Sequence, residues 1–319
     1  MVSNGRASVS RRDFLRLSAL LGLQFTLAQG SAAAARPPSG QRIVVLDWML
    51  TESLLLLGIT PVAVANPDGF RQTFPAVTLP AAVADVGLIY QPNLELLTLL
   101  RPDLIIITPA HAVIAPLLQR IAPILTVGEA DSYGRYSFDQ ACAALMTLGH
   151  FFNRAAIAQT LIFRAQHLFA TARARLAMLP GAAQRKVFIV QFIDEAFVRL
   201  AGGGSLYGDL LARLGVTNAC HAPTSVSGFA TTGYDALYAE PEALLITFSP
   251  IPITVRLMLQ HNPVWQALPF RQPGHHLFIP PAPANGGVVS AIAFTDALAC
   301  AITSAASNPA GPPCSWVNS

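Results

Sequence analysis

From Arg42 onward, short apolar runs rich in β-branched residues alternate with segments of helical period. Arg42 to Leu46 reads as a buried strand, Thr51 to Gly58 as a helix closed by its glycine, and Val62 to Val64 as a second strand. A proline-bearing loop fills residues 66–82. Pro92 to Leu100 is predicted helical, and Leu104 to Ile107 is apolar throughout, as a parallel strand covered on both faces requires. Ile114 to Arg120 and Phe138 to Phe152 are predicted helices on either side of a strand at Ile124 to Val127. This alternation predicts a parallel-sheet α/β unit over residues 41–152.

A run without Gly or Pro follows, Asn153 to Met178. Its apolar residues Ile157, Leu161, Ala165, Leu168, Ala172 and Leu176 recur three and four apart, the period of one helical stripe. At ~1.5 Å per residue such a helix is roughly 37 Å long, about the width of a small domain. Beyond it the strand and helix pattern starts again. Strands are predicted at Lys186 to Val190, Phe197 to Ala201, Ala243 to Phe248 and Leu277 to Ile279. Helices are predicted at Leu206 to Leu214, Tyr234 to Tyr238, Ile253 to Gln260, Val264 to Leu268 and Val288 to Ser304. The fold class expected is therefore two α/β lobes with mainly parallel sheets, residues 41–152 and 185–304, joined by one long linker helix, 153–178. Residues 305–319 form a tail.

Composition narrows the partners. At 53% hydrophobic and 12% charged residues the chain can bury a substantial core. The net charge of +3 resides in residues 1–35, where Arg6, Arg11, Arg12 and Arg16 face only Asp13; the remainder is neutral. No basic field is left to attract nucleic acid. The same leader reads as an export signal. Ser10-Arg11-Arg12-Asp13-Phe14-Leu15-Arg16 resembles a twin-arginine motif, an apolar stretch runs from Leu17 to Ala28, and Ser31 to Ala35 offers small residues for cleavage. The expected location is the periplasm, with an uncleaved membrane anchor as the other reading. Cys142, Cys220, Cys300 and Cys314 contain no Cys-x-x-Cys pair, so a zinc or iron–sulfur centre is not expected. Cys300–Cys314 is a possible disulfide, and Cys142 reads as a buried free thiol.

Several phrases together resemble one family. They are Trp48 with Glu52 and Leu57-Gly58; Gly87 with Pro92-Asn93-Leu94-Glu95-Leu96-Leu97 and Arg101-Pro102-Asp103-Leu104-Ile105; Leu210-Leu211-Ala212-Arg213-Leu214-Gly215; Tyr234-Asp235-Ala236-Leu237 with Glu240-Pro241-Glu242; and Asn262-Pro263-Val264-Trp265-Gln266-Ala267-Leu268. In this order and spacing, over about residues 41–300, the chain resembles the periplasmic iron(III)-siderophore-binding proteins of ABC importers, in particular the ferric-hydroxamate-binding subfamily. The resemblance implies a monomer with a shallow cleft between two lobes and a hinge too stiff for large bending. No cofactor is implied, because the iron arrives caged in a siderophore. It also implies a partner, the ABC importer permease of the inner membrane, met by one acidic residue on each lobe. Glu52 and Asp235 are the permease-docking candidates, with Glu95 a rival in the N-terminal lobe.

The resemblance implies a ligand-binding Arg and Tyr in the first lobe and aromatic residues in the second. Here Ile89 stands at the Arg position, beside Tyr90, and His111 at the Tyr position. Ser227 falls near the tryptophan position, with Phe229 two residues on, and Ala282-Pro283-Ala284-Asn285-Gly286-Gly287 replaces the late aromatic stretch. The ligand-binding candidates are Trp48, Arg71, Phe74, Tyr90, His111, Tyr207, Ser227, Phe229 and Asn285. Haem, a corrinoid or another bulky chelate is the alternative cargo, with His111 or Tyr90 as axial ligand for haem. A bare metal ion would need converging His, Asp and Glu side chains, and His275-His276 is the only adjacent histidine pair. Gly-x-Ser-x-Gly, His-Glu-x-x-His and a Walker-type loop do not occur, so no enzyme activity is expected.

Overall fold

The computed structural model describes residues 40–129, 136–181 and 185–307. The twin-arginine-type leader at residues 1–35 lies outside them, as do Cys314 and the tail from residue 308.

The first lobe is built on a five-stranded parallel sheet of order β3-β2-β1-β6-β7: β1 Ile43–Val45, β2 Ala63–Val64, β3 Ala84–Asp85, β6 Leu104–Ile107 and β7 Ile124–Thr126. The strands are short and nearly all apolar because helices cover both faces. These helices are α1 Trp48–Leu56, α2 Pro67–Thr73, α3 Leu94–Leu100 and α4 Ala115–Leu118, with α5 Phe138–Phe151 packed on α1. A two-strand hairpin, β4 Gly87–Leu88 and β5 Gln91–Pro92, interrupts the alternation before α3. The helix starts are written locally. Asp47, Asn66, Asn93 and Ser137 each accept a hydrogen bond from a backbone N–H in the first turn of α1, α2, α3 and α5.

The second lobe has β8 Lys186–Phe192 at its centre, parallel to β12 Leu244–Phe248 and, beyond it, β13 His276–Ile279. On the other side the first half of β8 pairs with β10 Thr217–Asn218. Its second half pairs antiparallel with β9 Phe197–Ala201, which in turn pairs with β11 Phe229–Gly233. Helices α7 Leu206–Arg213, α8 Ile253–His261, α9 Pro263–Ala267 and α10 Val288–Ser307 complete it. β10 and β11 are additions to the predicted elements, and the predicted strand β9 pairs antiparallel in an otherwise mainly parallel sheet. α10 runs past the predicted end at Ser304.

The long helix, α6, spans Ala155–Ala177. Asn153 in the left-handed region (φ 56°) separates it from α5. Its buried stripe is Ala158, Ala165, Phe169, Ala172 and Leu176, rotated from the expected one: Ile157 is 37% exposed, and Leu161 and Leu168 are half-buried. Alanines at seven-residue intervals let neighbouring helices approach closely. Gly149 makes the same allowance on α5, where a Cβ would stand 2.9 Å from the Ala158 Cβ. α6 packs along both α5 and α10, and α10 also contacts α7 and β13. The linker helix is thus part of a seam of packed helices that joins the lobes, and one hydrophobic cluster runs through both from Ile43 to Ile302.

The outer core of the second lobe gathers Phe192, Tyr234, Trp265, Phe278 and His276. The His276 Nε2 lies 2.9 Å from the Thr247 hydroxyl, and burial pushes the imidazole down to about 4. The unfolded chain binds this proton below about pH 6.5, whereas the fold resists it until about pH 4. Stability should therefore fall with pH across that window, by up to ~1.4 kcal/mol per unit from this group. His276→Gln should flatten the slope measured by urea unfolding between pH 7 and pH 4.5. Parallel slopes for variant and wild type would remove His276 as a source of acid sensitivity.

Cys142 and Cys220 are free thiols, Cys142 being pushed up to about 12 by burial, while Cys300 is disulfide-bonded.

Candidate functional site

Ligands of open parallel sheets meet the carboxyl ends of the strands. In the first lobe these ends lead into Trp48, Asn66, the β4–β5 hairpin and Thr108 to His111. Trp48 is half-buried, donates its indole N–H to the Ala65 carbonyl at 2.8 Å, and meets Phe70 and Phe74 edge to face. Phe74 is a correction to the expected site: it is buried and stacked on Phe70 with ring centroids 4.7 Å apart. Arg71 is also withdrawn. Its guanidinium binds Asp68 at 2.7 Å and donates to the carbonyls of Leu79 and Pro80, so it fastens its own loop.

His111 is buried as well. Its Nε2 faces the Ile89 carbonyl at 3.1 Å and its Nδ1 the Thr108 hydroxyl at 3.1 Å. The carbonyl makes Nε2 the protonated nitrogen, and Nδ1 accepts. With both nitrogens engaged, the ring positions the hairpin and is not free as a metal ligand. Tyr90, half exposed, lies over it at 5.4 Å and gives this wall its accessible aromatic face.

The second wall forms where α7, the segment before β11 and the turn before α10 meet. Gly202 donates to the Gly228 carbonyl at 2.7 Å, and Ser205 caps α7. Tyr207 was expected at the ligand; it is fully buried among Phe229, Phe248 and Phe294, and donates its hydroxyl to the Ala282 carbonyl at 2.6 Å. Burial pushes that hydroxyl far above its usual range. Phe229 is only 5% exposed, so it too is mainly a packing residue. Ser227, bonded to the Ser225 hydroxyl at 2.9 Å, and Asn285 in its turn remain partly accessible. Of the nine candidates, Trp48, Tyr90, Ser227 and Asn285 keep accessible surface, whereas Arg71 is committed to its own loop and Phe74, His111, Tyr207 and Phe229 are buried.

The most consequential correction concerns Glu52. It is completely buried, and its carboxylate crosses from α1 to the start of α10. It accepts from the backbone N–H groups of Gly287 (2.9 Å), Val289 (2.9 Å) and Ser290 (3.0 Å) and from the Ser290 hydroxyl (2.6 Å). Gly287 suits this approach, since a Cβ there would lie 3.1 Å from the carboxyl carbon and press on the carboxylate. Burial raises the carboxyl above its ordinary value, and the four donors oppose that rise. A group so enclosed cannot meet a permease. Glu95, in the first turn of α3, and Asp235, just after β11, are both exposed. A second tie joins the lobes: Asp209 accepts from the Phe138 N–H at 2.8 Å, and Arg213 pairs with Asp139 at 2.7 Å.

One functional candidate was missed. Arg199 sits in β9 with its guanidinium carbon 4.0 Å from the centre of the Phe229 ring. A lone arginine in the apolar alternation Phe197-Val198-Arg199-Leu200-Ala201 was the available signal. Among the described residues no three His, Cys, Asp or Glu side chains gather as a metal cluster.

The sequence and the fold have counterparts among known proteins. The family described as periplasmic binding protein matches residues 43–283. The Iron(3+)-hydroxamate-binding protein FhuD of Escherichia coli (strain K12) is 30% identical over 299 residues, covering 94% of this chain and 98% of its own. The achromobactin-binding periplasmic protein of Dickeya dadantii is 31% identical over 210 residues, 65% of each chain. Among solved structures, the siderophore-binding protein FhuD from Vibrio cholerae bound to Fe3+-Desferal superposes with a TM-score of 0.73 at 26% identity, over 83% of this chain and 98% of that one. A family model matched over residues 43–283, with 30% identity across nearly the whole length of FhuD, shows that this chain belongs to the periplasmic binding protein family.

Proposed function

We propose that the chain is the periplasmic component that captures a ferric siderophore and delivers it to the permease of an ABC importer. The observation that carries this reading is the near full-length relationship to a protein named for binding an iron(3+) hydroxamate. The cleft is consistent with it. A siderophore encloses its iron, so the receptor needs aromatic and hydrogen-bonding surface, here Trp48, Tyr90, Ser227 and Asn285, rather than metal-ligating side chains. Haem ligation through His111 is disfavoured, because both of its ring nitrogens are engaged inside the lobe.

Delivery requires recognition by the permease. With Glu52 buried, Glu95 takes its place, and Glu95 and Asp235 offer one exposed carboxylate on each lobe for arginines of the partner. Export by the twin-arginine route, from the Ser10 to Arg16 motif, belongs to the same proposal. In cells deprived of iron, uptake of radiolabelled iron from a ferric siderophore should depend on this chain. Deletion should abolish uptake of at least one ferric siderophore and leave haem use intact; loss of haem use alone would favour the other cargo.

A further inference from the structure

We propose that Arg199 is the ligand-binding cation of the cleft and that the preferred cargo is an iron chelate carrying an uncoordinated carboxylate. This rests on the ferric-siderophore reading above and makes it more specific.

The argument begins with β9. Val198 and Leu200 enter the outer core of the second lobe, which leaves Phe197, Arg199 and Ala201 on the opposite face. That face continues into the cluster shared with the first lobe, through Ala201, Phe229 and Tyr207. Arg199 is half-buried there, flanked in register by Gln191 and Thr231, neither of which carries a charge.

Its guanidinium lies over the face of Phe229. Such stacking fixes the plane and leaves the N–H edges pointing outward. Among the described residues those edges make no hydrogen bond and no ion pair, unlike those of Arg71 and Arg213. Removing a cation partly from water without a counter-charge costs free energy that an incoming anion restores. A planar fork held at fixed tilt matches the two oxygens of a carboxylate. Of the two arginines considered for the cleft, Arg71 is committed to its own loop, which leaves Arg199 with its N–H edges free among the described residues. Phe229 beneath it contacts Tyr207, and Tyr207 holds the Ala282 carbonyl three residues before Asn285.

The test compares two ferric chelates by fluorescence titration of the mature protein: aerobactin, which carries free carboxylates, and ferrichrome, which carries none. Wild type should prefer ferric aerobactin, with affinity falling as salt rises. Arg199→Met should weaken ferric aerobactin by at least about tenfold and remove the salt dependence, while changing ferrichrome less than about twofold. Arg199→Lys should fall between. Preference for ferrichrome, an unchanged aerobactin affinity in Arg199→Met, or an equal loss for both chelates in that variant would overturn the inference while leaving siderophore binding in place. Failure of wild type to bind any ferric siderophore would instead refute the functional reading on which it rests, and the inference with it.

Discussion

Replacing Glu52 by Ala should destabilise the protein by about 3–5 kcal/mol, the largest effect expected of any single polar substitution in this chain. The carboxylate is the cap of α10, supplied from the other lobe. Without it three backbone N–H groups and the Ser290 hydroxyl face a buried space with no acceptor. Each unsatisfied buried donor costs about 1–3 kcal/mol, less where water enters, so the total is below the simple sum. Glu52→Gln keeps the volume but has one acceptor oxygen and turns an amide N–H2 toward donors, so roughly half the loss should remain. Urea unfolding at neutral pH measures both. A Glu52→Ala midpoint shift equivalent to less than about 0.5 kcal/mol would show that α10 is capped by other means. Because the same bonds tie α1 to the turn carrying Asn285, the variant should also weaken ligand binding, with no change in the cleft residues themselves.

The second large effect belongs to transport. Reversing both exposed carboxylates, Glu95→Lys with Asp235→Lys, should reduce siderophore-dependent iron uptake by far more than tenfold and leave ligand affinity within about twofold. Truncating one partner of a close interfacial charge pair costs about 2–5 kcal/mol, and a reversed charge adds repulsion against the permease. Neither side chain makes an ion pair within the described residues, so the fold should tolerate both changes. Glu52→Lys is not an equivalent test, because it would unfold the protein before any docking was measured. Uptake at the wild-type rate by the double variant would exclude these two positions as the docking pair.

The fold was largely legible because its determinants are local. Continuous apolar runs such as Leu104 to Ile107 read as doubly covered strands, and Asp47, Asn93, Ser137 and Ser205 cap the helices that follow them from within the same stretch of chain. β11 escaped notice because Phe229-Ala230-Thr231-Thr232-Gly233 is stabilised by pairing with β9, not by its own pattern. The site was less legible because its determinants are distant. Glu52 in the first turns of a helix looks like an ordinary solvated acid; its partners lie 235 to 238 residues away. The one local hint was at the other end, where Gly286-Gly287-Val288 opens a long helix without a capping side chain. Tyr207 was counted among the ligand-binding candidates, yet its ring completes the core that both lobes share. Aromatic residues were over-chosen for the same reason: burial, not type, separates Phe74 and Phe229 from Tyr90.

These corrections strengthen the idea of a cleft held nearly preformed. The α5–α6–α10 seam, the Glu52 cap and the Asp209–Arg213 tie all resist hinge motion, so binding should need little rearrangement. The most direct measurement is an equilibrium titration of the mature protein, followed through Trp48 fluorescence, against ferric siderophores of several classes, haem, cobalamin and uncomplexed ferric iron. The account predicts saturable binding of at least one ferric siderophore at a single site with micromolar or tighter affinity, about −8 kcal/mol or better, and no saturation by the other ligands. Saturation by haem or cobalamin, with no response to any ferric siderophore, would contradict it.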